Sequence, residues 1–189
     1  MPRRLNLANL LTLARLGLAP FVIRAILHGW HTEALALFAL AAVTDVLDGA
    51  AARRLGLATR TGEYLDPVAD KVLLSGVFLA LAGARIVPWW FVAMVLGRDL
   101  YILLGAWLLM SLAHRRKFPP SVWGKISTFF QIVTAVAWMA NDVLGSPVVG
   151  ALAVWVLWIS AGLTLWSGLH YTWRGFLMAA RIDGSGDGE

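Results

Sequence analysis

Apolar residues fall in six long stretches of this chain, each approaching the roughly 20 residues that a membrane-crossing helix needs. The pattern predicts helices over about Leu11–Leu27, over Ala34–Leu47 with the helix continuing toward Arg53, and over Pro67–Ala84. Three more follow at about Trp89–Ala113, Val122–Ala140 and Val148–Trp173. Gly29, Gly83, the Pro119-Pro120 pair and Gly145-Ser146-Pro147 punctuate the joints. Polar residues cluster at the ends of these stretches. Pro2 to about Leu10 reads as a short amphipathic helix lying in the membrane interface. The Gly- and Asp-rich residues Ile182–Glu189 read as a frayed tail, so residues 1–181 form one membrane domain and 182–189 a flexible appendage. No repeat of 20–50 residues is visible, which removes solenoids and internally duplicated transporters.

Composition strengthens the membrane assignment. The 189 residues are 59% hydrophobic and only 14% charged, whereas soluble domains are about 25% charged and need that supply for a polar surface. The mean hydropathy of +0.72 agrees. The absence of cysteine excludes disulfide frameworks, thiolate metal sites and cysteine nucleophiles. A pI near 10.2 would suit nucleic acid if the cations shared an exposed face. Here they sit in small groups between apolar runs, as at a cytoplasmic membrane surface, and no nucleic-acid partner is expected.

The cations also orient the chain. Arg3 and Arg4, then Arg53, Arg54 and Arg60, then Arg115, Arg116 and Lys117, then Arg174 and Arg181 fall on one side if six spans alternate. The opposite joints hold His28, His31, Arg85 and Asp142. The expected fold is therefore an all-α integral membrane protein with six transmembrane helices and both termini cytoplasmic. Trp30, Trp89 and Trp90 fit an outer aromatic belt, and Trp123, Tyr171 and Trp173 an inner one. His28 and His31 lie at the outer boundary, while His114 and His170 sit near inner helix ends, where the helix dipole accounts for them. None is assigned a catalytic part.

Four acids resist a bland explanation. Asp45 and Asp48 close the second stretch and Asp66 and Asp70 open the third, so the intervening hairpin loop brings both pairs to one membrane depth. Spacings of three and four residues put each pair on one helical face. Asp45, Asp48, Gly49 and Ala52 share a stripe. Gly62, Asp66 and Asp70 form a matching one if the helix reaches back to Gly62; alternatively Asp66-Pro67 is an N-cap followed by a first-turn proline. Two carboxylates about 4 Å apart repel by roughly 4 kcal/mol at an effective dielectric of 20. Salt bridges to Arg53, Arg54, Arg60 and Lys71 would suffice for a single acid. Four converging acids call for compact positive charge, and an all-oxygen donor set favours two Mg²⁺ or Mn²⁺ ions bridged by shared carboxylates. Gly49 and Ala52 leave room beside them and Arg53 follows, the makings of a pyrophosphate pocket. Close helix packing explains the small residues equally well.

Asp45-Val-Leu-Asp48-Gly49-Ala-Ala-Ala52-Arg53, followed by Gly62, Asp66 and Asp70, resembles the signature of the CDP-alcohol phosphotransferases without departure. The resemblance implies an integral-membrane enzyme, usually a homodimer, that displaces CMP from a CDP-linked substrate by attack of an alcohol. It also implies that Asp45, Asp48, Asp66 and Asp70 hold two metal ions, that Asp70 accepts the proton of the attacking hydroxyl, and that Gly49, Arg53 and Thr59 contact the CDP portion. A metal-bound aspartate is a weak base, so Asp70 acts late or by positioning.

Asn9-Leu-Leu-Thr12-Leu-Ala-Arg15 resembles the first segment of the phosphatidylglycerophosphate synthases and related cardiolipin synthases, with Asn9 and Thr12 bordering the nucleotide; a helix-capping role serves as well. Ser121-Val-Trp-Gly124-Lys125-Ile-Ser-Thr128, continuing to Gln131, resembles the glycine-lysine segment of the phosphatidylglycerophosphate synthases. Lys125, with Arg115 and Arg116, is then expected to meet the phosphate of glycerol 3-phosphate, although membrane topology alone accounts for the latter two. Gly97-Arg98-Asp99 stands where those synthases commonly carry Gly-Arg-Glu, and the aspartate form is similar to cardiolipin synthases. Within a span such a pair also reads as an internal brace.

The resemblance thus implies a phospholipid-biosynthetic transferase of the cytoplasmic membrane. It takes CDP-diacylglycerol and glycerol 3-phosphate to phosphatidylglycerophosphate and CMP at a cytoplasm-facing site among membrane lipids. The alternative within the class uses phosphatidylglycerol as acceptor and makes cardiolipin. An alternative of another class is a divalent-cation transporter, but the acids gather at one membrane side and offer no second station along a path.

Overall fold

A computed structural model describes residues 7–55, 60–113 and 121–183, with side chains described at 16–44, 70–105, 107–108 and 121–177. These residues form six helices and no strand: α1 (Leu7–Leu27), α2 (His31–Leu55), α3 (Arg60–Gly83), α4 (Trp89–Ala113), α5 (Val122–Leu144) and α6 (Pro147–Asp183). The α4 bounds coincide with the sequence expectation, and the other helices run longer at one or both ends. Residues 7–10 belong to α1, and Ile182 and Asp183 continue α6, so part of the expected lead-in and tail is helical. Among the described residues, one helical run, Pro147–Leu177, is long and apolar enough to cross a membrane; Leu16–Leu27 and His31–Thr44 are shorter apolar runs.

The chain divides into two compact units. The first comprises residues 1–88 with 135–151. Here α1 packs against both α2 and α3. Its buried residues are Ala19, Val22, Ala25 and Ile26; α2 buries Ala34, Phe38 and Ala41, and α3 buries Leu73, Leu74, Val77, Phe78 and Leu81. Small residues matter at such contacts because lipid offers no hydrophobic drive for helices to associate, so close backbone approach must supply the attraction. Gly76 shows how close that approach is: a Cβ there would lie 2.8 Å from Ile23 Cδ1.

Helix ends in this unit follow from local chemistry. α1 stops in a Schellman motif, with Trp30 N–H donating to Ala25 C=O (2.9 Å), Gly29 N–H to Ile26 C=O (3.1 Å), and Gly29 in the left-handed region at φ 74°. α3 ends the same way, through Ile86 to Leu81 (2.9 Å) and Arg85 to Ala82 (3.0 Å). Its left-handed position is Arg85 at φ 60°, and Gly83 is the last helical residue, one short of the expected Ala84. Ser146 precedes Pro147 as N-cap and first helical residue of α6, and its C=O accepts from Gly150 N–H at 2.9 Å. His31 Nδ1 pairs with Asp142 Oδ2, tying the start of α2 to the last turn of α5.

The second unit comprises residues 89–134 with 152–189. Its α4 buries Phe91, Val92 and Val95, whereas α5 buries Ser127, Gln131 and Thr134. The buried stripe of α6 begins apolar at Ala153 and Leu157 and becomes polar and small at Ser160, Ala161, Thr164 and Ser167. The outer face of α6 carries Trp155, Trp158, Trp166 and Trp173, each at least 51% exposed. A face that apolar is stable against lipid and a liability against water. At 37 residues, α6 is about 55 Å long, well beyond a hydrocarbon core of roughly 30 Å.

Candidate functional site

In the first unit, α2 runs unbroken to Leu55 and α3 resumes at Arg60. The 56–59 connection spans at most about 18 Å, which bounds the separation of those two helix ends. Counting back from each end at 1.5 Å per residue, Asp45 and Asp70 both lie about 15 Å in, while Asp48 and Asp66 both lie about 10 Å in. Along their own helices the acids thus stand at matching distances from the connection, Asp45 with Asp70 and Asp48 with Asp66. Continuous helix over both segments also fixes their faces: Asp45, Asp48, Gly49 and Ala52 on one stripe of α2, and Gly62, Asp66 and Asp70 on one stripe of α3.

This settles the alternative left open for α3. Gly62 is helical and Asp66 stands in the second turn, so Asp66 is not the N-cap. Pro67 is consequently interior. It has no N–H to donate, which leaves the Glu63 C=O without its helical donor, one turn from the acids. Asp45, Asp48, Gly49, Arg53 and Asp66 are placed here by backbone alone, their side chains lying outside the described ones, and Thr59 lies outside the described residues altogether. Asp70 is half-buried and has an interaction partner. Among the described residues no metal-ligating group of three or more side chains gathers, and three of the four acids are beyond that set. The donor chemistry fits hard divalent cations: carboxylates in both stripes, with no thiolate and no imidazole in either.

Asn9 and Thr12 are both helical, in the first and second turns of α1, so neither caps it; their side chains lie outside the described ones. Arg115 and Arg116 fall outside the described residues.

The second unit holds Lys125, exposed in the first turn of α5. Around its root the helices make a dense set of polar contacts. Ser121, 2% exposed, is the N-cap, and its C=O accepts from Lys125 N–H at 3.3 Å. Ser121 N–H donates to Tyr171 Oη at 2.8 Å, and its Oγ lies 3.2 Å from His170 Nδ1. Gly124 allows α6 to come close: a Cβ there would sit 3.3 Å from both Tyr171 Cε2 and Oη, and 3.4 Å from Arg98 Nη2. Arg98, 9% exposed, donates through Nη1 to Asp99 Oδ1 at 2.6 Å and through Nη2 to Ser167 Oγ. The Arg98-Asp99 brace expected within α4 is therefore present, and it extends to α6. Its Nε finds no hydrogen-bond partner among the described residues.

Farther along α5, Gln131 and Ser127, read in the sequence as a continuation of the glycine-lysine segment, turn inward. Gln131 Nε2 donates to Thr164 Oγ1 at 3.1 Å and reaches Ser127 Oγ at 3.4 Å, and Ser127 Oγ lies 3.2 Å from Thr164 Oγ1. Gln131 Oε1 and Ser160 Oγ have no partner among the described residues. Sequence reasoning missed Tyr171 as a contact of this site, having placed it in an aromatic belt, and explained His170 by the helix dipole. The available signal was the stripe Ser160, Thr164, Ser167, Gly168 and Tyr171, at helical spacing and too polar to face lipid.

Comparison with known proteins bears on both clusters. The sequence model of the CDP-alcohol phosphatidyltransferase family matches residues 5–166. The chain is 37% identical over 187 residues to the CDP-diacylglycerol--glycerol-3-phosphate 3-phosphatidyltransferase of Shigella flexneri serotype 5b, covering 94% of this chain and 96% of that protein. It is 35% identical over 181 residues to the enzyme of the same name from Aquifex aeolicus, covering 92% and 98%. It is also 35% identical over 175 residues to the "Probable phosphatidylglycerophosphate synthase" of Mycobacterium tuberculosis H37Rv, covering 89% and 81%.

Proposed function

The chain belongs to the CDP-alcohol phosphatidyltransferase family, and from that premise we propose that it makes phosphatidylglycerophosphate and CMP from CDP-diacylglycerol and glycerol 3-phosphate. One observation carries the chemistry: four aspartates at matched positions on two consecutive helices, Asp45 and Asp48 on α2 and Asp66 and Asp70 on α3. Asp45, Asp48, Asp66 and Asp70 would hold two divalent cations, Mg²⁺ or Mn²⁺. When bound, such ions supply charge stabilisation for the pyrophosphate and the departing CMP.

The chain's own residues do the rest. Gly49 leaves space for the nucleotide and Arg53 offers a planar fork to phosphate, with Thr59, Asn9 and Thr12 bordering the CDP moiety. A hydroxyl of glycerol 3-phosphate attacks the phosphatidyl phosphorus, a new P–O bond forms, and the bond to CMP breaks. The hydroxyl proton passes toward the Asp70 carboxylate, which orients the nucleophile in line. Lys125, helped by Arg115 and Arg116, binds the acceptor's own phosphate. Exposure of the Lys125 side chain at the start of α5 supports this assignment.

The proposed setting is the cytoplasmic membrane. Six spans, both termini and the acid end of the hairpin on the cytoplasmic side, an interfacial N-terminal helix, and a homodimer built from single domains over residues 1–181 complete the reading. The one-sided cation clusters and the exposed tryptophans of α6 support it.

The test is CMP release by purified protein in detergent with Mn²⁺ and CDP-diacylglycerol. Release with glycerol 3-phosphate and not with phosphatidylglycerol is expected. Release only with phosphatidylglycerol would move the assignment to cardiolipin synthesis, which the Gly97-Arg98-Asp99 sequence favours, and no release with either would refute both. Metal-dependent ion flux in proteoliposomes without CMP formation would favour the transporter.

A further inference from the structure

We infer that Tyr171 is a positioning residue for the acceptor-phosphate site, acting through the first turn of α5 on Lys125; this rests on the proposed role of Lys125. A lysine ammonium ends a flexible four-carbon stem, so its location is only as defined as the backbone it springs from. That root is unusually constrained. Tyr171 Oη accepts the backbone N–H of Ser121 at 2.8 Å, and Ser121 C=O accepts the Lys125 N–H at 3.3 Å, so two hydrogen bonds lead from the tyrosine to the lysine backbone.

The same ring flanks the residue just before Lys125: a Cβ on Gly124 would stand 3.3 Å from Tyr171 Cε2 and Oη. Tyr171 therefore sets both the axial position of the turn, through Ser121, and its lateral distance from α6, through Gly124. His170 Nδ1 adds a second contact to Ser121 Oγ at 3.2 Å, and Arg98 bounds Gly124 on another side, 3.4 Å from that Cβ. Ser121 is 2% exposed, so no bulk water stands ready to replace the phenol. Without the hydroxyl, its N–H is left unpaired and the turn shifts toward whatever acceptor it can find.

The experiment measures steady-state kinetics for the full-length enzyme in detergent, with glycerol 3-phosphate and CDP-diacylglycerol varied separately. Tyr171→Phe is expected to raise KM for glycerol 3-phosphate about three- to tenfold, the range set by one lost hydrogen bond. The CDP-diacylglycerol KM should stay unchanged. Lys125→Gln should raise the acceptor KM further, and Tyr171→Phe added to Lys125→Gln should change it no more, because the tyrosine acts through the lysine. Gly124→Ala, which presses on the ring without removing the hydroxyl, should also raise the acceptor KM alone, and it serves if Tyr171→Phe does not fold. A normal acceptor KM in Lys125→Gln would overturn the assignment of Lys125 itself. A raised KM there, with Tyr171→Phe and Gly124→Ala silent or fully additive, would overturn the role of Tyr171 and leave that of Lys125 standing.

Discussion

Removing one of the four hairpin acids should reverse its effect on stability according to whether metal is present. In the proposed site the four aspartates share two cations, so without those cations the carboxylates repel one another. At about 4 Å this repulsion is worth roughly 1 kcal/mol in water and 4 kcal/mol at an effective dielectric of 20. Asp70→Asn or Asp48→Asn removes one such term. In EDTA either variant should therefore melt above wild type, by about 2–4 °C per kcal/mol relieved for a chain of this size. With Mn²⁺ at 100 times its dissociation constant, wild type gains about 2.7 kcal/mol and should melt roughly 5–10 °C higher than in EDTA. The variants, with a ligand missing, should keep less than half of that response, so their order relative to wild type inverts. The ten tryptophans provide an intrinsic fluorescence signal for the melts in detergent. A wild-type melt insensitive to Mn²⁺, an equal Mn²⁺ shift in variant and wild type, or variants that melt below wild type in EDTA would each refute the reasoning.

Asp70→Asn should also abolish CMP release while keeping most of the CDP binding measured by calorimetry; wild-type turnover in this variant would remove Asp70 from the reaction. In the second unit, Thr164→Val takes the partner of both Gln131 Nε2 and Ser127 Oγ, and should destabilise by about 1–2 kcal/mol, or several degrees. Gln131→Met loses the hydrogen bonds to Thr164 and Ser127 but also removes the unpartnered Oε1, and should cost less than Thr164→Val; an equal or larger fall in melting temperature would contradict this. Arg85→Gly should stabilise by about 0.5–1 kcal/mol, since the left-handed backbone at φ 60° strains a residue with a Cβ by more than glycine's added chain entropy costs. A lower melting temperature for Arg85→Gly would contradict it.

Much of the helix plan was legible in hydropathy, because lengths near 20 apolar residues leave few choices, and α4 was bounded correctly by Trp89 and the Ala113-His114 junction. The end of α3 falls at Gly83, one residue short of the expected Ala84, but its turn was not legible: the left-handed position is Arg85, fixed by the two Schellman hydrogen bonds and not by residue type. The hairpin acids announced themselves, since charge in an apolar chain is costly enough to need a reason. What the sequence concealed was direction in α5. Ser127, Lys125 and Gln131 look alike as polar letters, but the lysine faces outward while the serine and glutamine hydrogen-bond into the unit, and only the matching polar stripe of α6 distinguishes them.

The length of α6 has a practical consequence. An uninterrupted rod about 25 Å longer than a hydrocarbon core continues as helix past the apolar run Pro147–Leu177 to Asp183. A folded tag grafted in helical phase after Asp183 would inherit the orientation of that rod rather than swing on a tether. It would give a 20.6 kDa particle the external landmark needed for image alignment.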